Sequence, residues 1–460
     1  MSTPSRHAIA QPTDTPDRQI ASASPDAAQL KAHWMPFTGN RQFKRDPRII
    51  VGADGCYLHS ADGRAILDSL SGLWCCSFGH GRPEIAEAIA RQARTLDYAP
   101  PFQFGHPGAF QLAERIQALT PAGLDHVFFT NSGSESADTA LKMARAFWRM
   151  KGQSAKTRLI GRAKGYHGVN VGGTSVGGIG PNRKLFGSLL EADHLSATLL
   201  PENRNSRGVP PHGAHLANQL EELVALHDAS TIAAVIVEPM SGSAGVIVPP
   251  DGYLQRLREL CDRHDILLIF DEVLTGFGRT GADFGATRFG VRPDIMTLAK
   301  NITNGAVPMG AVVASSTIHD AFMDADTPPY IPEFAHGYTY SGHPLACAAG
   351  LAALDIFEHD QMAQRAAEMA PWFEQQVHGL AGLRHVVDVR NLGMAAAIQI
   401  APHPTEPPRR PWEIAMRCWE KGLYVRFTAD SLQLGPPFTI ERHQIDTICS
   451  ILAETIPTVD

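Results

Sequence analysis

The sequence is poor in cysteine, has no long apolar run and carries no excess of positive charge. Seven cysteines in 460 residues, an odd number without a C-x-x-C pair, exclude a disulfide framework and a structural zinc site. They read as the reduced thiols of a cytoplasmic protein. No stretch reaches the roughly 18 consecutive apolar residues of a membrane span. The nearest, residues 344–357 (PLACAAGLAALDIF), is short, rich in small residues and interrupted by Asp355. The N-terminus lacks the apolar middle of a signal peptide, and its Ser, Thr, Pro, Asp and Ala predict a disordered leader over 1–30. Lys and Arg number 40 against 47 Asp and Glu, a net charge of −7, which excludes nucleic acid as the main partner. The chain has no HExxH, P-loop or EF-hand loop, and its 20 histidines show no ligand spacing. No metal site is expected.

Apolar residues make up 44% of the chain, enough for a sizeable core. Beyond the leader, strand-length apolar runs alternate with helix-length periodic segments. Residues 127–130 (VFFT) precede a helical pattern over 135–152. Residues 233–238 (AAVIVE) and 266–270 (ILLIF) are continuous apolar runs, as strands buried on both faces should be. Between them, 253–264 places Leu254, Leu257 and Leu260 on one face. Runs at 295–298 and 310–314 continue the alternation, which predicts a mostly parallel α/β sheet flanked by helices. Pro-rich stretches at 201–213, 327–332 and 402–411 read as surface loops. The texture then changes to helices over 345–357 and 362–379 and short runs such as 395–400. The expected organisation is a leader (1–30), a large domain (86–343) and a smaller α+β domain (344–460) completed by residues 31–85.

Two motifs mislead. GFGRTG at 276–281 matches the dinucleotide fingerprint, but DEVLT separates it from the preceding strand and no helical period follows, so a loop is expected. GTSVG at 173–177 matches the hydrolase elbow with Ser175 as nucleophile, yet neither flank supplies the required strand or helix. A serine hydrolase using Ser175 is the alternative from a different functional class.

The chemistry gathers at the strand ends. ILLIF ends in Asp271, AAVIVE in Glu238, and MTLA is followed by Lys300. Singly, the acid reads as a helix cap or ion-pair partner and the lysine as a solvated surface group. Together they bring acids and an amine to the edge where open α/β sheets bind ligands. NSGSE at 131–135 is an S-x-x-E capping box formed by Ser132 and Glu135. With Gly133 it also presents free amides at a helix N-terminus, a ready phosphate site. Pyridoxal 5′-phosphate, with a phosphate, an aldehyde and a basic ring nitrogen, uses all of these groups.

FDEVLTGFGRTG, then LAK at Lys300 and NGAVPMGAVVAS, resemble the cofactor motif of class III (ω-) aminotransferases. TNSGSE, GYHG and HGYTYSGHPLACAAGLAAL stand where that family requires them, and the similarity runs from about Lys31 to the C-terminus. HWMPFTGNRQF, SGLW, TLDYAPPFQFGHP and GLYVRFTADSLQLGPPF are most similar to the β-alanine–pyruvate members. The resemblance implies the fold type I architecture of pyridoxal-phosphate enzymes. It implies Lys300 as the Schiff-base lysine and proton shuttle, and Asp271 as the partner of the ring nitrogen. Gly133 and Ser134 would hold the phosphate, with Thr339 reaching it from a partner subunit. Tyr166 and Val273 would cover the two faces of the ring, and Glu238 would lie on its substrate side. Arg426 would take the substrate carboxylate, and Trp74 and Phe37 would wall the pocket. The implied reaction is a ping-pong transfer from β-alanine, or another ω-amino acid or amine, to pyruvate in a homodimer or homotetramer. Taurine, diamine and 4-aminobutyrate donors, or an aminomutase, are the alternatives within this cofactor class.

Overall fold

The computed structural model describes residues 24–187 and 189–460. Most of the expected leader lies outside the described residues. Its last residues belong to a helix, Ala27–Ala32, closed by a capping box between Asp26 and Gln29.

A seven-stranded sheet lies at the centre. Its spatial order is Leu124–Thr130, Gly310–Ser315, Ile295–Leu298, Leu267–Asp271, Ile232–Val237, Arg158–Arg162 and Ala192–Leu195. Gly310–Ser315 runs antiparallel to both of its neighbours, and the other pairings are parallel. Every residue of Ile232–Val237, Leu267–Asp271, Ile295–Leu298 and Gly310–Ser315 is buried, as the unbroken apolar runs predict. The fold is therefore α/β, with a mixed but mostly parallel sheet.

Helices cover the sheet with the faces their periodicity assigns. Gly133–Met150 buries Ala137, Ala140, Leu141, Ala144, Phe147 and Trp148, and the Trp148 indole N–H donates to the Ala233 carbonyl at 2.8 Å. Tyr253–Arg263 buries Leu254, Leu257 and Leu260, each contributing about 1.5–3 kcal/mol of apolar burial. Pro344–His359, the small-residue run, packs closely on neighbouring helices. A methyl group at Gly350 would come within 2.9 Å of Leu112. No helix among the described residues is long and apolar enough to cross a membrane.

Two smaller four-stranded sheets complete the chain. In one, the meander Ile50–Asp54, Tyr57–Ser60 and Ala65–Asp68 is extended by Leu423–Tyr424, which runs parallel to Ala65–Asp68. The other is Val386–Leu392, Ala395–Ile400, Ser431–Leu434 and Arg426–Thr428, paired antiparallel throughout. The proline-rich stretch at 402–411 is a loop only in its first part, because Pro411 sits in the first turn of the helix Arg409–Glu420.

Both misleading motifs have structural roles. Ser175 is fully buried; its hydroxyl donates to the Val171 carbonyl and accepts from the amides of Leu189 and Leu190, so it staples a loop to a helix and cannot attack a substrate. This corrects the hydrolase alternative. GFGRTG is a loop, with Phe277, Gly278 and Gly281 at positive φ. Its Arg279 is completely buried. The guanidinium donates to the carbonyls of Met394 and Pro436, both at 2.9 Å, and to the hydroxyls of Ser71 and Ser77. It also lies 4.6 Å from the Phe438 ring centroid and 5.4 Å from that of Trp74. Burial pulls its pKa down to about 9, against the pull of Asp68.

Arg279→Met is expected to cost at least about 3 kcal/mol, because four buried acceptors lose their donor together. The measurement is the urea midpoint at unchanged m-value. A shift below about 1 kcal/mol would show that those acceptors find other donors.

Candidate active site

Five strands end at one edge of the large sheet, and the residues just beyond them line a cavity of about 340 Å³. Leu124–Thr130 delivers Gly133 and Ser134, Arg158–Arg162 delivers Tyr166 and His167, and Ile232–Val237 delivers Glu238. Leu267–Asp271 supplies Asp271 and Val273, and Ile295–Leu298 supplies Lys300. This is the carboxyl-end crevice of an open α/β sheet.

One wall is the N-terminus of the helix Gly133–Met150. The Ser132 hydroxyl accepts from the Glu135 amide at 3.2 Å, which is half of a capping box. The other half differs from expectation: the Glu135 carboxylate accepts from the amide and side chain of Asn131, at 2.8 and 2.9 Å. The amides of Gly133 and Ser134 have no partner among the described residues and stand at the positive end of the helix. The Ser134 hydroxyl accepts from the Val169 amide at 3.1 Å. Gly168 passes so close, at φ +89°, that a Cβ there would lie 2.5 Å from this hydroxyl, so only glycine fits. Gly133 faces Val273, whose methyl groups lie 3.0 and 3.1 Å from the position of an added Cβ.

A network of buried acids forms the floor. Asp271 is 5% exposed; one of its oxygens pairs with His167 Nδ1 at 2.8 Å and the other accepts from the Val273 amide. Glu238 accepts from the amides of Tyr166 and Gly242, at 2.9 and 3.0 Å. Burial pushes the Glu238 carboxyl up, the charge of His167 opposes this, and Asp271 reinforces it. Beneath, the guanidinium of Arg162 donates to the Glu238 carbonyl and the Ser241 hydroxyl, both at 2.8 Å. Adjacent Glu272 turns away from the cavity and accepts from the amides of Gly285 and Ala286. Of the two neighbouring acids, only Asp271 lines the cavity.

Lys300 sits at φ +52°, a left-handed conformation that a non-glycine residue pays for in strain, and opens the short helix Lys300–Thr303. Burial draws its ammonium below the ordinary lysine range, with the charge of Asp271 opposing. Its amine makes no hydrogen bond to any described residue. The site thus offers free amides at a helix N-terminus, a buried carboxylate and an amine inclined to be neutral. That set suits a molecule with a phosphate, a basic ring nitrogen and an aldehyde.

Four expected residues lie outside the cavity lining. Phe37 is 75% exposed, and Trp74 is buried beneath Arg279 and Gly435, where a Cβ on Gly435 would strike the indole at 2.0 Å. Neither is among the residues that line the cavity within this chain. Thr339 is exposed, its carbonyl accepting from the Tyr98 hydroxyl at 3.1 Å. Arg426 opens the strand Arg426–Thr428, and its charge acts on both Tyr166 and Lys300. Conversely, His167 and Cys75 line the cavity and were missed by the sequence reading. Each stands directly beside a residue that reading singled out, Tyr166 and Trp74, and adjacency was the available signal.

Residues 39–456 match the family model described as aminotransferase class-III. The chain is 61% identical to a β-alanine–pyruvate aminotransferase of Pseudomonas aeruginosa, over 93% of this chain and 96% of that protein. It is 58% identical to an ω-amino acid–pyruvate aminotransferase of Pseudomonas putida, over 94% and 97%. The chain belongs to the class-III aminotransferases. A solved structure of a thermostable (S)-enantioselective ω-transaminase from Thermomicrobium roseum superposes with a TM-score of 0.87 at 35% identity, covering 94% of this chain and 97% of that one. An amine transaminase from an uncultivated Pseudomonas species, in its pyridoxal-phosphate-bound form, gives 0.86 at 38%, covering 95% and 99%. The fold is that of the fold type I enzymes, and the cofactor of this aminotransferase family is pyridoxal 5′-phosphate. The donor set described above fits it.

Gly133→Ala is expected to drive Val273 toward the cavity and weaken cofactor binding by roughly tenfold, the equivalent of a modest overpacking penalty. Absorbance titration of the apoenzyme with pyridoxal phosphate measures it, and unchanged affinity would show that Val273 yields freely.

Proposed function

We propose that this aminotransferase moves the amino group of β-alanine, or of another ω-amino acid or amine, to pyruvate, giving malonic semialdehyde and L-alanine in two half-reactions. The observation that carries the reading is the meeting of Lys300, Asp271 and the free amides of Gly133 and Ser134 on one cavity. The donor and acceptor rest on the similarity to the two Pseudomonas pyruvate aminotransferases.

When bound, pyridoxal phosphate supplies an aldehyde and a ring that withdraws electrons from the donor carbon. The amides of Gly133 and Ser134 hold its phosphate at the helix N-terminus. Asp271, fixed by His167, would hold the ring nitrogen and favour its protonated form. Tyr166 and Val273, which line the cavity, would cover the ring, and Glu238, which accepts from the Tyr166 amide, would lie toward the substrate. Lys300 Nζ, its ammonium disfavoured by burial, would accept the proton from the donor carbon and return it. Arg426 grips the substrate carboxylate with its planar fork. Thr339, exposed and away from its own cavity, supports a homodimer in which a second copy's Thr339 reaches the phosphate. The unpaired cysteines suit a reducing cytoplasm.

The deciding measurement is the visible spectrum of the holoenzyme before and after β-alanine, with no keto acid present. A yellow protein that bleaches, and recovers on adding pyruvate, is expected. A yellow protein that ignores β-alanine but bleaches with a diamine or 4-aminobutyrate would move the donor to that amine. Lys300→Ala is expected to fold normally and lose at least about a thousandfold in turnover. Arg426→Ala is expected to lose roughly 30–100-fold in kcat/KM for pyruvate, the worth of a charge-assisted bidentate pair, and far less for an amine donor without a carboxylate. Equal losses for both would refute the role of Arg426.

A further inference from the structure

The vicinal cysteines Cys75 and Cys76 take no part in the chemistry above, yet they stand at its edge. Their sulfurs are 3.8 Å apart. Both are half-buried, whereas the other five cysteines are buried. Cys75 lines the cavity together with Lys300 and Gly305. Two glycines leave room for the thiols. A Cβ on Gly305 would lie 2.9 Å from Cys76 Sγ and 3.2 Å from Cys75 Sγ, and one on Gly72 would lie 3.4 and 3.6 Å from them. Both glycines are at positive φ, so a side chain there is doubly resisted. The preceding Trp74, at φ +64°, turns the chain so that Cys75 meets the cavity wall.

The charges around Cys75 favour a thiolate. The Cys76 thiol is placed to donate to Cys75 Sγ, and this holds Cys75 below the usual cysteine range, against its burial. The other groups that face it are Arg279, Tyr424 and Asp68, the last paired with His80 at 2.7 Å. Elsewhere burial is the largest influence. It pushes the Cys56 thiol up to about 11 and those of Cys261, Cys347, Cys418 and Cys449 up to about 12. Cys75 is therefore the cysteine that combines a cavity position, partial exposure and a neighbouring S–H.

We propose that Cys75 is a thiol-modification site in the active-site wall, which exchanges with low-molecular-weight organic disulfides and thereby closes the cavity at Lys300 until a reducing thiol releases it. In the step, the Cys75 thiolate attacks one sulfur of RS–SR. That S–S bond breaks, a Cys75 Sγ–SR bond forms, and RS⁻ leaves with the electron pair and takes a proton from water. Cys75 is oxidised and the leaving half is reduced, so no further oxidant is consumed. Cys76 is a positioning residue, acting through its S–H on the Cys75 sulfur.

The inference rests on the aminotransferase reading only for its turnover readout. The test treats the holoenzyme with cystamine and follows intact mass, a cysteine-peptide map and turnover together. One cysteamine adduct on Cys75 is expected, with turnover falling in step with the adduct, and dithiothreitol restoring both. Cys75→Ser is expected to take no adduct at that rate and to keep whatever turnover it started with. Cys76→Ala, which removes the donor, is expected to react more slowly. Between pH 7.5 and 6, an ordinary thiol slows about thirtyfold as its thiolate disappears. Cys75 is expected to slow by less than about tenfold, and Cys76→Ala to return to the ordinary profile. A first adduct on another cysteine, or a Cys75 adduct that leaves turnover intact, overturns the proposal. If Cys75→Ser does not fold, the adduct map and the dithiothreitol reversal of the unaltered sequence decide it. Mass and peptide position stand or fall whichever amine proves to be the donor.

Discussion

Arg279 is a cation buried without a carboxylate in contact, and the assembly of the active-site wall depends on how its charge is accommodated. Taking a guanidinium out of water costs several kcal/mol unless its donors are satisfied. Here Nη1 and Nη2 are paired with two carbonyls and two hydroxyls from stretches far apart in the chain, Ser71 and Ser77 on one side and Met394 and Pro436 on the other, while Nε has no partner among the described residues. The aromatic rings of Trp74 and Phe438 screen its faces. None of these partners can leave without stranding the charge, so the loop after Asp271, the segment bearing Cys75 and the C-terminal strands are tied to one point. Arg426 and Cys75 come near Lys300 because a single side chain fastens the pieces that carry them.

The chemistry at the sheet edge depends on a second economy of charge. Asp271 and Glu238 are both buried, and burial together with the charge of Asp271 makes ionisation of Glu238 harder. His167 against Asp271, and the amides of Tyr166 and Gly242 against Glu238, offset that repulsion. The field at the cavity is consequently fixed before any ligand arrives, which is the arrangement that lowers barriers in a low-dielectric site. Lys300 is held in the same spirit: its left-handed backbone is tolerated because Ala299, Asn301, Ile302 and Thr303 around it are buried.

Much of this was legible in the chain because the strong signals are local. Unbroken apolar runs ending in Glu238, Asp271 and Lys300 announced buried strands and the edge they share, and the NSGSE turn announced a helix N-terminus. What escaped was decided by contacts between distant residues. Trp74 looks like a pocket wall until Gly435 and Arg279 are found packed on it, hundreds of residues away. Arg279 lies in a motif correctly read as a loop, but no local pattern says that a loop arginine will be swallowed whole. His167 was hidden by its neighbour Tyr166, since a lone histidine has no periodicity to betray its burial. Glu135 took Asn131 instead of its own cap because a side-chain amide and a backbone N–H were both within reach there.

The parallel pairing of Ala65–Asp68 with Leu423–Tyr424 also has a consequence in time. Ser69 and its partner Tyr424 are 355 residues apart. A ribosome adding roughly 5–20 residues each second would leave the Ala65–Asp68 edge without this neighbour for about 20–70 s. Through that interval the growing chain exposes an unsatisfied strand edge flanked by the apolar Ile66 and Leu67, which end fully buried. The small sheet is thus sealed after synthesis, and the yield of active enzyme is set partly by how well that edge is shielded from other chains while it waits.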